Sequence, residues 1–596
     1  SVVDEARLAP GINAVAVTYD FAHDNRYRNL MTATETVTSK IVNRMTHIDR
    51  EPQDLIEKLE ATRLVCREVG CAQRYLTHDA LNAIHQATFA IDDAYSTDIH
   101  STFLAYLHRV QDEDLAVGVA MTDSKGDRTL RPHEQPNSDS YVHIKERRKD
   151  GIIIRGAKAI ITGAPYMHEL LVMPCRNMTE ADADFAVCCA VPIDAENLTI
   201  VSKPAGRPGE KAAKFSTKYG QCTAVAIFDD VFVPHESVFL DGQWVHSQLL
   251  TSTYATHHRH SCIGARAGFG DLLIGASILM IESNGLDADK TPHLKNDLVD
   301  LIKIVEGFYA CGAAASIYGF KDASGVQQPD GVFANVGKLM MATQIYDMHR
   351  LAHDVSGGLI VALPGPEEDH NPETQGDLMG MLQTRSDIPH QKRMDVARFM
   401  QDLTASDTAG WMSVISLHGG GSPEAMRREI YRYYPLEERQ QLVERLLDRG
   451  ILDLKDGKKK QHPLNWKDQR VRSSIRILCD TPGLPIYVDD RIVGYSPLEN
   501  GIDVLPGWHR VGYFPEDVTK MTKVRTPKEK LVEDILRMGL MDVFVEEGEE
   551  LTVALNYQSL DEEVFDYNKK INTSTVFGFG MFSLVIVFFC LIKAIV

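Results

Sequence analysis

The sequence has no excess of basic residues, no compact pattern of cysteines and no secretory signal at its start. Acidic residues outnumber basic ones by 83 to 63, for a formal net charge of −20. This argues against a nucleic-acid partner, which favours a basic face, and against a broad polybasic surface for anionic lipid. Ten cysteines are scattered over 596 residues, so free thiols in a reducing compartment are expected rather than a disulfide framework. Residues 1–17 lack both a basic start and a long apolar run.

What the chain does have is a clear change of pattern along its length. Apolar residues recur at helical spacing within 1–115, short β-rich runs follow in 116–240, and long helical patterns return in 241–450. A lysine-rich polar stretch at 451–470 predicts a linker, and a second β-rich segment follows at 471–557. The sequence therefore predicts a multidomain fold: a helical domain, a β-barrel domain, an α-helical bundle and a small all-β domain.

The last predicted element is one transmembrane helix. Residues 573–592 contain no charge, and twenty helical residues span roughly 30 Å of hydrocarbon. A buried core helix is the alternative. Lys569 and Lys570 precede the run and Lys593 follows it, a bias that favours the cytoplasm or matrix for the N-terminal side. We therefore expect 558–596 to be a juxtamembrane segment and a single-pass membrane anchor, with the preceding domains on the cytoplasmic or matrix side.

Five segments carry a resemblance to a known family. In order, they are 121-MTDSKGDR-128, 154-IRGAKAIITGA-164, 258-HRHSCIGARAGFGD-271, 350-RLAHDVSGGLIV-361 and 417-LHGGGSPEAMRR-428. On these residues the chain from Arg7 to about Arg428 resembles the 4-hydroxyphenylacetate 3-hydroxylase/4-hydroxybutyryl-CoA dehydratase family of flavoproteins, which are built like acyl-CoA dehydrogenases. The resemblance implies an FAD-dependent oxidoreductase or lyase that acts on an acyl-CoA or a phenol.

The resemblance also implies where FAD binds. Hydroxyl and amide groups of the segment 121–128 are expected at the edge of the flavin ring, and its basic side chains near phosphate. A glycine pair after Asp354 lets backbone approach a pyrophosphate closely. The expected cofactor-binding residues are Met121, Thr122, Asp123, Lys125, Asp127, Arg128, Thr162, Asp354, Gly357 and Gly358. The last three are expected to reach the FAD of a neighbouring subunit, which implies a homodimer or a homotetramer.

The iron–sulfur site of the dehydratase branch is only half present. That branch has Cys-x3-Cys in an early helix and His-x6-Cys in a later one. Cys71 and His258 match this pattern, but Tyr75 and Ala265 occupy the other two positions. Because thiolates are the natural ligands of such clusters, we expect no cluster of the family type. The alternatives are a three-ligand metal site that adds Cys262, which lies four residues after His258, and a flavin pocket with a buried thiol and histidine.

The acid–base residues of the family are also altered. Ile415 occupies the position of a dehydratase glutamate, and removing a proton from an unactivated carbon needs a base. The dehydratase reaction is therefore not expected. The hydroxylase branch places an arginine, a tyrosine and a histidine around a phenol. Arg74, Tyr75 and His258 are present, but at a different spacing. His258 is the first candidate for an acid–base residue, and Tyr75 is the second.

The second β-rich segment resembles a PEGA domain, a small β module of surface and membrane-linked proteins. The resemblance covers 475–557, where Pro482-Gly483 and Asp489-Asp490 are turn residues between strands. We expect a spacer or docking domain. Two functions remain open for the whole chain. One is a membrane-anchored FAD enzyme without the cluster, and the other is a degenerate family member that serves as a structural accessory subunit of a membrane complex.

Overall fold

The chain divides into two compact units, Ser1–Tyr434 and Pro435–Val596. The computed structural model describes residues 2–448, 473–514 and 537–572, apart from residues 37, 205, 207, 208, 499 and 547. The predicted linker 451–470 and the predicted membrane helix 573–592 lie outside the described residues.

The first unit opens with helices that supply one wall of its core. They are α1 (Ala9–His23), α2 (Arg28–Met31), α3 (Pro52–Val69), α4 (Tyr75–Tyr95) and α5 (Ile99–Asp112), with a short hairpin of β1 (Thr32–Thr34) and β2 (Ile41–Asn43) after α2. Helix α3 begins with a proline. The missing N–H costs no hydrogen bond there, because the first N–H groups of a helix have no partner within the helix. It ends at Gly70, whose φ of 75° favours glycine. Helix α4 is buried along most of its length, and its polar side chains are buried with it.

Two four-stranded sheets follow. The elements are β3 (Val117–Ala120), β4 (His143–Arg147), β5 (Gly151–Thr162), β6 (Glu169–Val172), β7 (Val187–Pro192), β8 (Leu198–Lys203), α6 (Lys214–Lys218), β9 (Thr223–Pro234) and β10 (Val238–Asp241). The sheet orders are β10-β7-β6-β3 and β4-β5-β9-β8, and both contribute to one apolar cluster. The predicted barrel is thus two sheets rather than one closed sheet. Register shifts between β5 and β9, at Ile154/Gly156 and Lys158/Ile161, bend the second sheet.

Long helices complete the first unit. They are α7 (Ser247–Ser283), α8 (Pro292–Ile317), α9 (Gly331–Ser356), α10 (Gln375–Leu382), α11 (His390–Ala405), α12 (Asp407–His418) and α13 (Pro423–Tyr433), and a two-residue hairpin, β11 (Phe320–Lys321) with β12 (Gln327–Gln328), joins α8 to α9. Helix α7 lies at the centre of the bundle, and α3, α4, α8 and α9 pack around it.

Glycines on α7 bring it close to α3. A Cβ atom on Gly264 would lie 2.6 Å from the backbone oxygen of Leu59. A Cβ atom on Gly268 would lie 2.5 Å from the backbone oxygen of Arg63 and 2.6 Å from the backbone nitrogen of Arg67. These atoms belong to a rigid helix, so the two helices can pack at this distance only while both positions carry no side chain.

The second unit begins with helix α14 (Leu436–Asp448). Its strands are β13 (Ser473–Cys479), β14 (Pro485–Val488), β15 (Arg491–Tyr495), β16 (Ile502–Val504), β17 (Gly507–Gly512), β18 (Leu540–Val545) and β19 (Glu550–Leu555), and α15 (Tyr557–Asn572) follows. They form sheets in the orders β16-β13-β19 and β15-β14-β17-β18, which share an apolar cluster. These strands lie within the segment predicted to be all-β.

In the described part of the chain, one helix is long and apolar enough to cross a membrane. It is Trp244–Ser283, but 67% of its apolar window is buried within the protein. The central place of α7 in the bundle accounts for its apolar character.

The close approach of α3 and α7 yields a stability prediction. Gly268→Ala should lower the free energy of unfolding by about 1–3 kcal/mol, because the added methyl group overlaps the α3 backbone. Gly275→Ala is the matched control, since this α7 glycine has open space around its Cβ position. It should be neutral or stabilising by up to about 1 kcal/mol. Urea unfolding of both variants measures the difference, and equal midpoints would show that the helices are not packed this closely.

Candidate active site

Four side chains at intervals of four residues define one face of α7. They are Tyr254, His258, Cys262 and Arg266, all of them buried. Residues four apart lie one above another on a helix, so a single stripe carries an aromatic ring, an imidazole, a thiol and a guanidinium. Ionisable groups buried in the centre of a bundle require partners, because an unpaired buried charge costs several kcal/mol.

His258 is held between a carboxylate and a thiol. Its Nδ1 atom lies 3.1 Å from Oδ2 of Asp79 on α4. Its Nε2 atom lies 3.6 Å from Sγ of Cys262, one helical turn further along α7. The carboxylate fixes the ring orientation and stabilises a proton on Nδ1, so Nε2 is the nitrogen that exchanges protons with Cys262 or a substrate.

Asp79 is the central anion of this region. Its Oδ1 atom accepts a hydrogen bond of 2.6 Å from the hydroxyl of Ser261 and lies 3.7 Å from Nζ of Lys58 on α3. Nδ1 of His78 is 3.8 Å from the same oxygen. Although burial raises the pKa of Asp79, hydrogen bonds from His258 and His78 and the charge of Lys58 lower it well below the usual range. The carboxylate is therefore ionised at neutral pH.

The partners of His258 decide its charge. Burial lowers the pKa of His258, but the charge of Cys262 and the hydrogen bond with Asp79 together raise it to about 9. Burial also raises the pKa of Cys262, and the neighbouring His258 lowers it by more, so that the net shift is downward. Both shifts have the same cause, since the buried imidazolium and the thiolate each stabilise the charged form of the other. His258 is therefore protonated at neutral pH, and its charge favours the thiolate form of Cys262.

Two tyrosines enclose the His258 ring. The ring of Tyr254 is 5.4 Å away with an interplanar angle of 8°, and the ring of Tyr75 is 6.0 Å away at 22°. The structure thus brings the two predicted catalytic residues, His258 and Tyr75, next to each other. Gly420 borders the imidazole on another side, where a Cβ atom would lie 3.1 Å from Cδ2 of His258. The aromatic rings exclude water from an imidazole that keeps its charge through Asp79 and Cys262.

Cys71 lies on the other side of Tyr75 and has its own set of donors. Its sulfur accepts hydrogen bonds from Nε2 of Gln73 at 3.0 Å and from the Arg266 guanidinium at 3.5 Å, and it is 4.0 Å from the Tyr75 hydroxyl. A hydrogen bond from the Cys66 thiol and the charge of Arg266 lower the pKa of Cys71 despite its burial. Cys71 is therefore a second buried thiolate, compensated by Arg266.

These contacts do not fit an iron–sulfur cluster of the dehydratase type. Tyr75 and Ala265 leave two of the four ligand positions of the family pattern without a thiolate, and the Arg266 guanidinium donates a hydrogen bond to the sulfur of Cys71. Within the described residues, no group of three or more His, Cys, Asp or Glu side chains is arranged to hold a metal ion.

The segment 121–128 forms a turn that is fixed from inside the sheets. The carboxylate of the buried Asp123 lies 2.7 Å from Nζ of Lys158 and accepts the N–H of Val142 at 3.1 Å. The carbonyl oxygen of Thr122 accepts the N–H of Ala159 at 2.7 Å. The other predicted flavin residues of the turn are half-buried or exposed: Met121, Lys125, Asp127 and Arg128. The Asp123–Lys158 pair thus holds the turn, which leaves the rest of the segment available to a ligand.

A cavity of about 660 Å³ opens between the β8–β9 connection and helices α11 and α12, a volume within the range of cofactor sites, roughly 300–1,000 Å³. Trp411 lines it, and the indole N–H donates a hydrogen bond of 2.8 Å to the Thr223 hydroxyl, which lies 3.4 Å from the hydroxyl of Thr162. Trp411 and Gln221 also line a smaller pocket that reaches Cys71. The predicted flavin residue Thr162 is therefore connected through Thr223 to Trp411, which lines the larger cavity.

The remaining predicted flavin residues lie at the end of α9. Gly357 and Gly358 have φ values of 67° and 74°, and a Cβ atom on either would meet no atom within 4 Å. Asp354 is half-exposed and accepts a hydrogen bond of 2.9 Å from Arg350. Within one chain this end of α9 therefore faces open space.

Several residues of the site were missed from the sequence. They are Lys58, Asp79, Ser261 and Arg266, and each is buried. The signal that could have found them is a charged residue inside an apolar helical run, such as Asp79 in 77-THDALNAIHQ-86 and Arg266 in 262-CIGARAG-268. Such charges are rarely buried without a functional or structural partner.

Comparison with known proteins agrees with this architecture. Residues 1–240 match the N-terminal model and residues 247–448 the C-terminal model of 4-hydroxyphenylacetate 3-hydroxylase. The chain is 36% identical over 457 residues to the 4-hydroxybutyryl-CoA dehydratase/vinylacetyl-CoA-Δ-isomerase of Clostridium aminobutyricum, across 74% of this chain and 93% of that protein. It is 24% identical over 453 residues to the oxygenase component of 4-hydroxyphenylacetate 3-monooxygenase from Thermus thermophilus, across 74% and 90% of the two chains.

Solved structures give the same result. An oxygen-tolerant archaeal 4-hydroxybutyryl-CoA dehydratase from N. maritimus superposes with a TM-score of 0.72 and 34% identity, over 75% of this chain and 90% of that one. The oxygenase component of 4-hydroxyphenylacetate 3-monooxygenase, solved with FAD and 4-hydroxyphenylacetate, superposes with a TM-score of 0.67 and 22% identity, over 76% and 94%. The predicted acyl-CoA-dehydrogenase-like architecture of helical and sheet domains is confirmed, and the chain belongs to the 4-hydroxyphenylacetate 3-hydroxylase family.

Proposed function

We propose that this chain is an FAD-dependent enzyme that acts at the α and β carbons of an acyl-CoA thioester without an iron–sulfur cluster. The observation that carries the proposal is the buried series Asp79–His258–Cys262, which holds a proton on His258 inside a site enclosed by aromatic rings. A degenerate accessory subunit would have no reason to keep two buried ion pairs at this position, since such charges contribute little to stability compared with apolar packing.

FAD supplies a two-electron acceptor or donor when it is bound. Solved structures of a family member contain FAD, and the cavity beside Thr162 and Trp411 has the volume for a cofactor. Thr162 and Thr223 offer hydroxyl groups to a ring edge, and Trp411 offers an aromatic surface. A smaller pocket lined by Trp411 and Cys71 lies near Tyr75, whose hydroxyl is 4.0 Å from the Cys71 sulfur.

An acyl thioester fits the site better than a phenol. The hydroxylase arrangement requires an arginine directed into the site with the tyrosine and histidine. Arg74 instead donates a hydrogen bond of 2.9 Å to the carbonyl oxygen of Asp114 and stacks on the ring of Tyr19, with 3.9 Å between the guanidinium carbon and the ring centroid. The Arg74 guanidinium is therefore directed to Asp114 and Tyr19. The 36% identical relative is named for an acyl-CoA substrate.

His258 acts as a general acid in this proposal. With a pKa of about 9 it is protonated at neutral pH, so Nε2 can give a proton to the α carbon of an unsaturated thioester, for which bound reduced FAD would supply the hydride at the β carbon. Asp79 keeps Nδ1 protonated and the ring in place throughout. A positioned acid of this kind contributes about 10²–10⁴-fold to a rate.

Cofactor content tests the first part of the proposal. Purified protein should contain stoichiometric FAD and show flavin absorbance without an iron–sulfur shoulder, because Tyr75 and Ala265 replace two of the four cluster ligands of the family pattern. It should also form no crotonyl-CoA from 4-hydroxybutyryl-CoA. Stoichiometric iron and sulfide in the purified protein would contradict this account of Cys71.

The acid role of His258 is tested by anaerobic stopped-flow absorbance. Dithionite-reduced protein mixed with crotonyl-CoA should become reoxidised, and His258→Gln should slow this step at least about 100-fold. The rate should also fall as the pH rises through about 9, where His258 loses its proton. His260→Gln is the control, because His260 is buried on the same helix but bonds to Gly312 and Ser316 instead.

Equal rates in the two histidine variants would exclude His258 as the acid. If the protein reacts with 4-hydroxyphenylacetate but with no acyl-CoA, its substrate is a phenol. Absence of any flavin reaction in folded, FAD-containing protein would favour the accessory role.

We also propose that the enzyme is a homodimer or a tetramer of dimers, which is a common arrangement for soluble enzymes. The end of α9 supports this proposal, because Gly357 and Gly358 face open space and the nearby Val361 is 89% exposed. Val361→Asp should reduce the mass measured by light scattering and the FAD content together. Val245→Asp, at an exposed apolar position beside the start of α7, should change neither. A monomeric wild-type mass with FAD bound would contradict the proposal.

A further inference from the structure

We propose that Cys262 is a nucleophile of this site and that it adds to the β carbon of an α,β-unsaturated acyl thioester. The substrate class rests on the proposed function, whereas the chemistry rests on the surroundings of Cys262.

The contacts of Cys262 have the order of a nucleophile, a base and a group that orients the base. Its Sγ atom lies 3.6 Å from Nε2 of His258, and Nδ1 of His258 lies 3.1 Å from the Asp79 carboxylate. The nucleophile and base are one helical turn apart on α7, so their geometry is fixed by the helix itself. A thiol next to a base that is oriented by a third group is the arrangement that activates cysteine in enzymes.

The charges that face Cys262 stabilise its thiolate. His258, Lys338 and Arg266 each lower the pKa of Cys262, and the Lys338 ammonium is held in place by a hydrogen bond of 2.6 Å to the carbonyl oxygen of Ser416. Tyr75 and Tyr254 also lie near the sulfur, and burial keeps both phenols protonated by raising their pKa. Three cations therefore favour the thiolate form of this sulfur.

Most other described cysteines lack such surroundings. Burial raises the pKa of Cys188, Cys189 and Cys222, which lie in or beside the sheets. Cys311 is more exposed than Cys262, but burial raises its pKa as well, and its sulfur meets only the carbonyl oxygen of Gly307. Cys311 is thus the more exposed cysteine, and Cys262 is the activated one. The cysteine that reacts therefore shows whether exposure or activation decides the reaction.

The proposed step is a conjugate addition. The Cys262 thiolate forms a C–S bond to the β carbon, the C–C double bond opens toward the α carbon, and the His258 imidazolium transfers the Nε2 proton to that carbon. The products are a thioether and a neutral imidazole that remains hydrogen-bonded to Asp79. No oxidant or leaving group is required, and the reverse step regenerates the thiolate and the unsaturated thioester.

The experiment uses oxidised, FAD-containing protein and crotonyl-CoA. The protein is incubated at pH 7, quenched in acid, and analysed by intact-mass spectrometry and peptide mapping. We expect one crotonyl-CoA adduct per chain, on Cys262. It should form severalfold and up to about 30-fold faster than on an ordinary cysteine, because His258 lies within reach of the Cys262 thiol and only a few per cent of an unactivated thiol is ionised at this pH. Butyryl-CoA, which has no double bond, should give no adduct.

Variants test whether the activation or the exposure of a cysteine decides where the adduct forms. Cys262→Ser should abolish the adduct, and His258→Gln should slow its formation by about the same factor while FAD remains bound. Cys311→Ser should leave rate and stoichiometry unchanged, since Cys311 does not contact the site. FAD absorbance of each variant confirms that it is folded.

The inference fails if folded, FAD-containing protein gives no adduct, or if the adduct maps to Cys311 or another cysteine. Reoxidation of the reduced flavin by crotonyl-CoA without an adduct would overturn the nucleophile and leave the proposed function intact. An adduct on Cys262 without any flavin reaction would support the nucleophile and overturn the proposed function.

Discussion

The buried carboxylate of Asp79 is the interaction on which the rest of the site depends. An isolated anion in the middle of a helical bundle would cost several kcal/mol, and three helices contribute the groups that compensate it. Lys58 comes from α3, His78 from α4 itself, and His258 and Ser261 from α7. The close packing of α3 on α7, made possible by Gly264 and Gly268, places these groups at the required distances.

Asp79 influences the reactive groups of the site through a series of neighbouring charges on α7. It stabilises a proton on His258, the resulting imidazolium stabilises a thiolate on Cys262, and Arg266 one turn further stabilises a thiolate on Cys71. The family scaffold is retained while the ligands of a metal cluster have become Tyr75 and Ala265. In this chain, buried ion pairs lie around Cys71 and His258, and our proposal assigns proton transfer to them.

Much of this site could be anticipated from sequence, and the rest depended on tertiary contacts. The four-residue spacing of His258 and Cys262 is local, so a helix was enough to place them on one face. The ordered family motifs predicted the layers of helix, sheet and helix. The partner of His258 could not be found this way, because Asp79 is 179 residues earlier in the chain and only the packing of α4 on α7 joins them. Lys158 is a second example, because its position in β5 does not show from the sequence that it pairs with Asp123. The two sheets differ from a closed barrel because register shifts depend on strand pairing rather than on composition.

The protonation state of His258 tests the central claim most directly. In protein labelled with ¹⁵N-histidine, the His258 resonances, assigned with the His258→Gln variant, report whether each ring nitrogen carries a proton. The account predicts an imidazolium with both nitrogens protonated at pH 8, which loses its proton near pH 9 and becomes neutral at pH 8 in the Asp79→Asn variant. A His258 ring that is already neutral at pH 7, or that is unaffected by Asp79→Asn, would show that the buried carboxylate does not organise this site.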